Sequence, residues 1–399
     1  MAISTAISTA SYFAVSMLFG LIGLNAEQKY RPALTAGLIL TSTLAYRNIT
    51  DANLGIKGTD TIAMFVLFYI SHMTCALCME KYLLPKPLGK AFDWRAAYKM
   101  LFNARWIGTY RQAPDIHSSA EAEKDLESPY LGPSEVYTAY PMSDFKAFIR
   151  SPRFRFLRNR IISLATIYAI DQGYEYLFNI VLPQYVNPIN AYDMLPSKHS
   201  YFRRLTTVTL RESLIRVWMV LYWTWYSYSL YTSLHDILAF IFVSIGLDDP
   251  EDWPALYGSI SEATSIRGFW GKFWHRLVYR SYTSYGKFIS LNVLRLPRKS
   301  MTGKLFINGF VFVLSGVVHA VTLRQLGFTC GAMSEVRFYS SHYLAILAET
   351  AIQAAFKRLT KGYRVNGVVM KAVGYLWVFG FLFYSVPKSQ YPKIFCLPE

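Results

Sequence analysis

Leu305-Phe306-Ile307-Asn308-Gly309-Phe310-Val311-Phe312-Val313-Leu314-Ser315-Gly316-Val317-Val318-His319-Ala320-Val321-Thr322-Leu323 decides the fold. It carries no Asp, Glu, Lys or Arg and has the length of roughly 17–25 residues that an apolar helix needs to cross a bilayer. Its few polar residues are not scattered. At about 100° per residue, Asn308, Ser315, His319 and Thr322 fall within about 60° of one another on a helix. Gly309 and Gly316 lie beside that stripe, where a second backbone can approach closely. An ionisable group in hydrocarbon is costly, so such a stripe faces protein or a water-filled cavity. His319 is then either a packing histidine bonded to a neighbouring carbonyl or a chemical group. A neutral, partly buried imidazole is a competent general base near neutral pH.

The same apolar pattern recurs along the chain. Ser11–Leu24, Pro32–Ala45, Thr61–Leu84, Ile161–Leu182, Ser213–Tyr231, His342–Phe356 and Val368–Val386 are the other candidate spans. Ile237–Leu247 is too short to cross alone at about 1.5 Å per residue; it either extends the preceding span after a break or dips part-way in. The expected fold is an all-α, polytopic integral membrane protein of eight or nine transmembrane helices, forming one domain over residues 1–399. Composition agrees: 53% of residues are hydrophobic and 17% charged, and the mean hydropathy is +0.22. That leaves too little polar surface to wrap a soluble globule. The N-terminus lacks a basic n-region, so the first apolar run is expected to be a retained span and not a cleaved signal peptide.

A formal charge of +16 raises nucleic acid as a partner. The basic residues, however, cluster between apolar runs, the pattern of cytosolic loops facing anionic lipid or an anionic co-substrate. Trp94–Arg160, Arg267–Lys304 and Lys357–Arg364 are basic. Cytosolic loops are accordingly expected at about 85–160, 248–304 and 357–367, and nucleic acid is excluded. By parity Arg47–Asp60 lies on the opposite side, with the sequon Asn48-Ile49-Thr50. Lys198–Arg216 is also basic on that opposite side, which leaves the topology around the fourth and fifth spans open. Asp115–Ser128 reads as a solvated acidic excursion, and Ser143–Arg160 as an interfacial amphipathic helix. Four cysteines are scattered, with Cys75 and Cys78 inside an apolar run. They read as small packing residues and imply no disulfide framework.

The second informative stretch is Arg267-Gly268-Phe269-Trp270-Gly271-Lys272-Phe273-Trp274-His275-Arg276-Leu277-Val278-Tyr279-Arg280. As a helix it would place Trp270, Phe273, Trp274 and Leu277 on one apolar face. Lys272, Arg276 and Arg280 would recur on another side, suited to phosphate oxygens. An interfacial aromatic-basic anchor explains the Trp and Arg content but gives no reason for His275. A competing motif is Asp248-Asp249-Pro250-Glu251-Asp252, which has the form that binds magnesium diphosphate in prenyl transfer. Pro250 restricts it to a first helical turn, and no second Asp-rich motif follows. A loop that caps the next helix is the expected reading, with no metal site. The chain contains no G-x-S-x-G, H-E-x-x-H or G-x-x-x-x-G-K-[ST].

These residues resemble a family. Phe269-Trp270-Gly271-Lys272-Phe273-Trp274-His275 is similar to the FWGRRWH-type signature of plant and fungal wax synthases, relatives of the membrane-bound O-acyltransferases. Trp253-Pro254-Ala255-Leu256-Tyr257-Gly258 resembles the W-P-x-L-F-G stretch upstream of it. Ser315-Gly316-Val317-Val318-His319 resembles the S-G-x-x-H segment downstream. The likeness covers residues 253–319 and is greatest to fungal secondary-metabolite O-acetyltransferases. Lys272-Phe273 departs from the two arginines frequent in plant members.

The resemblance implies a fold like that of the membrane-bound O-acyltransferases and transfer of acetyl from acetyl-CoA to a hydroxyl of a terpenoid or meroterpenoid metabolite. It implies His319 as general base and His275 as the second motif histidine. Trp274, Trp270, Lys272, Arg276, Asn308 and Ser315 are the expected substrate- and CoA-binding residues. No permanently bound cofactor and no metal are implied. The partners are an acyl-CoA co-substrate, an apolar alcohol acceptor and the lipid bilayer, and the place is the endoplasmic reticulum. Three alternatives stand beside it: a long-chain wax-ester synthase, a magnesium-dependent prenyltransferase using Asp248, Asp249 and Asp252, and a transporter or non-catalytic scaffold.

Overall fold

A computed structural model of the chain describes residues 2–52, 54–84, 91–109, 149, 151–181, 184, 188–328, 330–359 and 366–396. Regular structure among them is helical throughout. In chain order the longer α-helices are α1 (Ala2–Asn25), α2 (Arg31–Asn48), α3 (Gly55–Thr74), α4 (Trp94–Leu101), α5 (Pro152–Tyr176), α6 (Leu210–Ser244), α7 (Tyr279–Phe288), α8 (Met301–Gln325), α9 (Ala332–Leu359) and α10 (Gly367–Phe395). Six of the eight expected spans lie wholly on long helices; Thr61–Leu84 runs past its helix, which ends at Met79 with the π-helical turn, and Leu182, the end of Ile161–Leu182, lies outside the described residues. Among the described residues four helices are long and apolar enough to cross a membrane, by length and composition: α1, α3 with its π-helical continuation Cys75–Met79, α8 and α10.

Local sequence explains where the helices start. Ser151 caps α5 by accepting from Phe154 N at 3.1 Å, with Pro152 in the first turn. Thr209 accepts from Glu212 N at 3.2 Å and caps α6. Ser300 accepts from Gly303 N at 3.0 Å and caps α8. The expected break before Ile237 is absent. Helix α6 runs for 35 residues without a Gly or Pro and ends where Gly246 adopts φ 75°, the left-handed conformation that closes a helix.

The acidic excursion Asp115–Ser128 and the beginning of the Ser143–Arg160 stretch lie outside the described residues, as do parts of the expected loops 85–160 and 357–367. From Pro152 onward that stretch forms the first turns of α5.

The chain forms two compact units. The first comprises Met1–Trp106, Arg276–Val365 and Lys388–Glu399. Its core joins Leu24, Leu38, Met73, Leu77 and Trp106, all buried. Helices α1 and α2 form an antiparallel pair in which Ser16 Oγ bonds Ser42 Oγ at 2.5 Å and Leu38 O at 3.1 Å. Helices α8 and α9 pair through the two glycines singled out above. A Cβ on Gly309 would stand 2.9 Å from the Tyr343 ring, and one on Gly316 2.7 Å from Val336 Cα. Only glycine admits that approach at Gly316, because the opposing atom is backbone. Along α8, Val313, Val317 and Val321 are exposed at four-residue spacing, a face suited to lipid.

Helix α7 is tied to α3 in the same unit. Arg280 pairs with Glu80 at 3.2 Å and lies over the Trp106 ring, and Ser284 Oγ donates to Glu80 at 2.5 Å. The unit also holds a disulfide between Cys330 and Cys396. This corrects the expectation that the cysteines imply no bridge. Two cysteines 66 residues apart carry no spacing signal, and only the packing of α10's end against the α8–α9 turn brings them together.

The second unit comprises Ile107–His275 and Asn366–Pro387. Its centre is the antiparallel pair α5 and α6. Arg160 meets Asp236 at 2.7 Å, Trp225 Nε1 donates to Asp171 at 2.6 Å, and the rings of Phe178 and Trp218 are 4.4 Å apart. Each step along α5 is matched by an equal step back along α6. Three cations of the basic segment Lys198–Arg216 are ion-paired within this unit. Arg211 and Lys198 pair with Asp193 at 2.7 and 3.8 Å, and Arg204 pairs with Glu212 at 2.5 Å. The bond from Arg211 holds the Asp193 carboxyl below its usual range. Arg216, fully buried, donates to Lys198 O and Phe383 O.

Candidate active site

Four described histidines lie on long helices, and their surroundings separate them. His72 Nε2 is 2.8 Å from Met100 O, and His342 Nδ1 is 2.8 Å from Phe338 O. His235 Nδ1 is 3.4 Å from the Asp236 carboxylate. These three engage protein acceptors. His319 makes no hydrogen bond to a described residue. It is half-buried, with its ring stacked on Tyr339 at 5.1 Å and 19°, and it interacts electrostatically with Glu335 and Lys393. By helical rise it lies about 21 Å along α8 from Leu305.

The polar stripe around it is not uniform. Ser315 Oγ donates to Val311 O at 2.8 Å, and Thr322 Oγ1 donates to Val318 O at 3.1 Å. Both hydroxyls bond their own helix, as Ser and Thr commonly do. Asn308 is exposed. The side of the site that sequence reasoning missed comes from α9 and α10. Glu335 is 3% exposed, bonds Lys393 at 2.9 Å and accepts from Ser389 Oγ at 2.5 Å. The available signal was an acid next to an apolar run, but Glu335 precedes the expected span His342–Phe356 and reads there as a loop residue.

The second unit holds His275. The expected single helix Arg267–Arg280 is corrected: Ile266–Gly268 leads into a π-helix, Phe269–Phe273, and Trp274 is extended at ψ 151°. Trp270, Phe273, Trp274 and Leu277 therefore do not share one helical face. π-Turns of this kind occur often at functional sites. Ser265 caps the turn by accepting from Gly268 N at 2.8 Å, and Gly258 N donates to Phe273 O at 2.9 Å. The first and second motifs are thus bonded to each other. The His275 ring sits edge-on to Tyr231 at 5.1 Å and Tyr257 at 5.6 Å. Trp274 is buried against Trp223, 5.0 Å away and 8° from parallel, and Trp270 meets its edge at 5.4 Å. Both tryptophans are part of a packed aromatic wall beside His275.

The basic row also dissolves. Lys272 pairs with Glu262 at 2.9 Å on the surface. In the first unit Arg276 lies over Tyr279, and Arg280 is held by Glu80. The Asp248–Asp252 motif is built as a cap. Asp249 N donates to Asp252 Oδ2 at 2.9 Å in a capping box around the turn Pro250–Asp252. Asp248 Oδ2 accepts from Trp253 Nε1 at 3.0 Å. Each of these hydrogen bonds closes within the motif and its neighbour Trp253.

Comparison with known proteins agrees with the motifs. Residues 253–339 match the membrane bound O-acyl transferase family, and they include all three motifs and both histidines. Acetyltransferase atnC of Arthrinium sp. is 33% identical over 188 residues, covering 47% of this chain and 43% of its own length. Acetyltransferase nanB of Aspergillus nanangensis is 28% identical over 303 residues, 73% of this chain and 66% of its own length. Acetyltransferase TRI7 of Fusarium sporotrichioides is 36% identical over 154 residues, 36% of this chain and 34% of its own length. The matched stretches thus span about a third to two thirds of these relatives. No solved structure matches the chain.

Proposed function

We propose that the chain is an integral-membrane acyl-CoA:alcohol O-acyltransferase that transfers acetyl to a hydroxyl of a terpenoid or other polycyclic alcohol. The observation that carries this is the imidazole of His319, the one histidine of the four on long helices without a protein hydrogen-bond partner among the described residues. The preference for acetyl follows relatives that are named acetyltransferases, and the acceptor class follows the family likeness.

In this mechanism the acceptor oxygen attacks the thioester carbonyl carbon while a ring nitrogen of His319 takes the hydroxyl proton. The C–O bond forms, the C–S bond breaks, and CoA leaves as a thiolate. The imidazolium returns its proton to that sulfur, giving ester and free thiol with no acyl-enzyme. His275, braced by Tyr231 and Tyr257, stabilises the developing oxyanion. Lys272 and Arg276 bind CoA phosphates. The pair Lys272–Glu262 is exposed on both sides, the kind of ion pair worth about 0–1 kcal/mol, so a phosphate readily displaces the carboxylate.

Membrane residence suits this chemistry, since an apolar acceptor partitions from lipid while CoA arrives from the cytosol. The proposed topology has eight crossings in the endoplasmic reticulum. With the loops at 248–304 and 357–367 cytosolic, α8 and α10 both end on the lumenal side. The Cys330–Cys396 bridge then lies in the oxidising compartment where disulfides persist. A donor screen from acetyl- to palmitoyl-CoA against a panel of alcohols tests the proposal. Turnover should peak with acetyl-CoA and a polycyclic alcohol; a peak with palmitoyl-CoA and a fatty alcohol would make the chain a wax-ester synthase.

A further inference from the structure

We propose that Glu335, held by Lys393 and Ser389, is the positioning residue of His319 and carries the counter-charge for the imidazolium formed during transfer. The proposal rests on the general-base reading of His319 and adds groups that no motif covers.

Geometry places Glu335 against the histidine. Gly316, one turn before His319, packs so closely on α9 that its would-be Cβ lies 3.1 Å from Glu335 O and 2.7 Å from Val336 Cα. One turn after Glu335, Tyr339 stacks on the His319 ring at 5.1 Å. His319 is therefore held at the level of α9 between Glu335 and Tyr339. Glu335 itself is fixed by Lys393 at 2.9 Å and Ser389 at 2.5 Å, both from the end of α10. The Cys330–Cys396 bridge fastens that end to the turn before α9.

Glu335 is 3% exposed and paired with Lys393, and a carboxylate one turn from the ring's stacking partner favours the imidazolium that forms when His319 takes the acceptor's proton. The titratable groups that interact with His319 are Glu335 of α9 and Lys393 of α10, Tyr339 stacks on its ring, and Asp60 of α3 and Tyr46 of α2 interact with that cluster in turn.

The test is the pH dependence of kcat/KM in membranes carrying the full chain. Glu335→Gln removes a negative neighbour and should shift the acidic limb to lower pH, with kcat down by about tenfold or more and both KM values little changed. Lys393→Met removes a positive neighbour and should shift the same limb to higher pH. Glu335→Asp, which keeps the charge, should keep the limb near the wild-type position. A purely structural role lowers the amount of folded enzyme without moving the limb in opposite directions. Limbs that coincide with wild type in Glu335→Gln or Lys393→Met overturn the proposal, provided His319→Ala is inactive. Retained turnover in His319→Ala instead removes the general-base reading itself, so the two failures are distinct. If Glu335→Gln does not accumulate, Lys393→Met alone decides by the sign of its shift.

Discussion

Replacing His319 by alanine is expected to reduce turnover about 10²–10⁴-fold, the contribution typical of a general base, with the protein accumulating at a normal level. The two halves of that result come from one feature. His319 has no hydrogen bond to a described residue to lose, so its removal leaves no orphaned partner. His342 provides the contrast. It is fully buried and bonded to Phe338 O at 2.8 Å, and its truncation opens a cavity in the packing of α9. His342→Ala should lower accumulation, and the activity per folded molecule should fall far less than in His319→Ala. Turnover normalised to folded protein in detergent, measured side by side for both variants, separates the two roles.

Loss of the Cys330–Cys396 bridge is the second large effect. Cys330→Ser or Cys396→Ser should lower stability by about 2–4 kcal/mol, as for other native disulfides, read as a lower thermal midpoint in detergent. The bridge joins the end of α10, which carries Ser389 and Lys393, to the turn before α9, which carries Glu335. Activity per folded molecule should therefore fall as well. Thiol labelling after denaturation checks the premise. Before reduction Cys75 and Cys78 label, and Cys330 and Cys396 become reactive only after a reductant is added. Labelling of all four without reductant would contradict it.

Helical patterning exposed the membrane class and every long helix, because a span is a local property of composition and length. The close approach of two helices at Gly309 and Gly316 was readable for the same reason. What stayed hidden depends on contacts distant in sequence. Glu335 sits on α9 and its partners Ser389 and Lys393 on α10, and nothing in their spacing links them. The bridge between Cys330 and Cys396 is of the same kind. The aromatic-basic stretch misled for another reason: its periodicity suits a helix, yet the chain forms a π-turn and becomes extended at Trp274. Arg280, read with Lys272 and Arg276 as one basic row, is instead held by Glu80 and Trp106. The carboxylates of Asp249 and Asp252, in contrast, form the cap that Pro250 suggested.

The measurement that bears most directly on the central claim is acetyl transfer in microsomes that carry the chain, supplied with labelled acetyl-CoA, a polycyclic alcohol and a chelator. One acetate ester should form for each CoA thiol released, with wild-type protein and not with His319→Ala. Folded, membrane-inserted protein that transfers no acyl group from any CoA donor, or that turns over only with magnesium and a prenyl diphosphate, would contradict the claim.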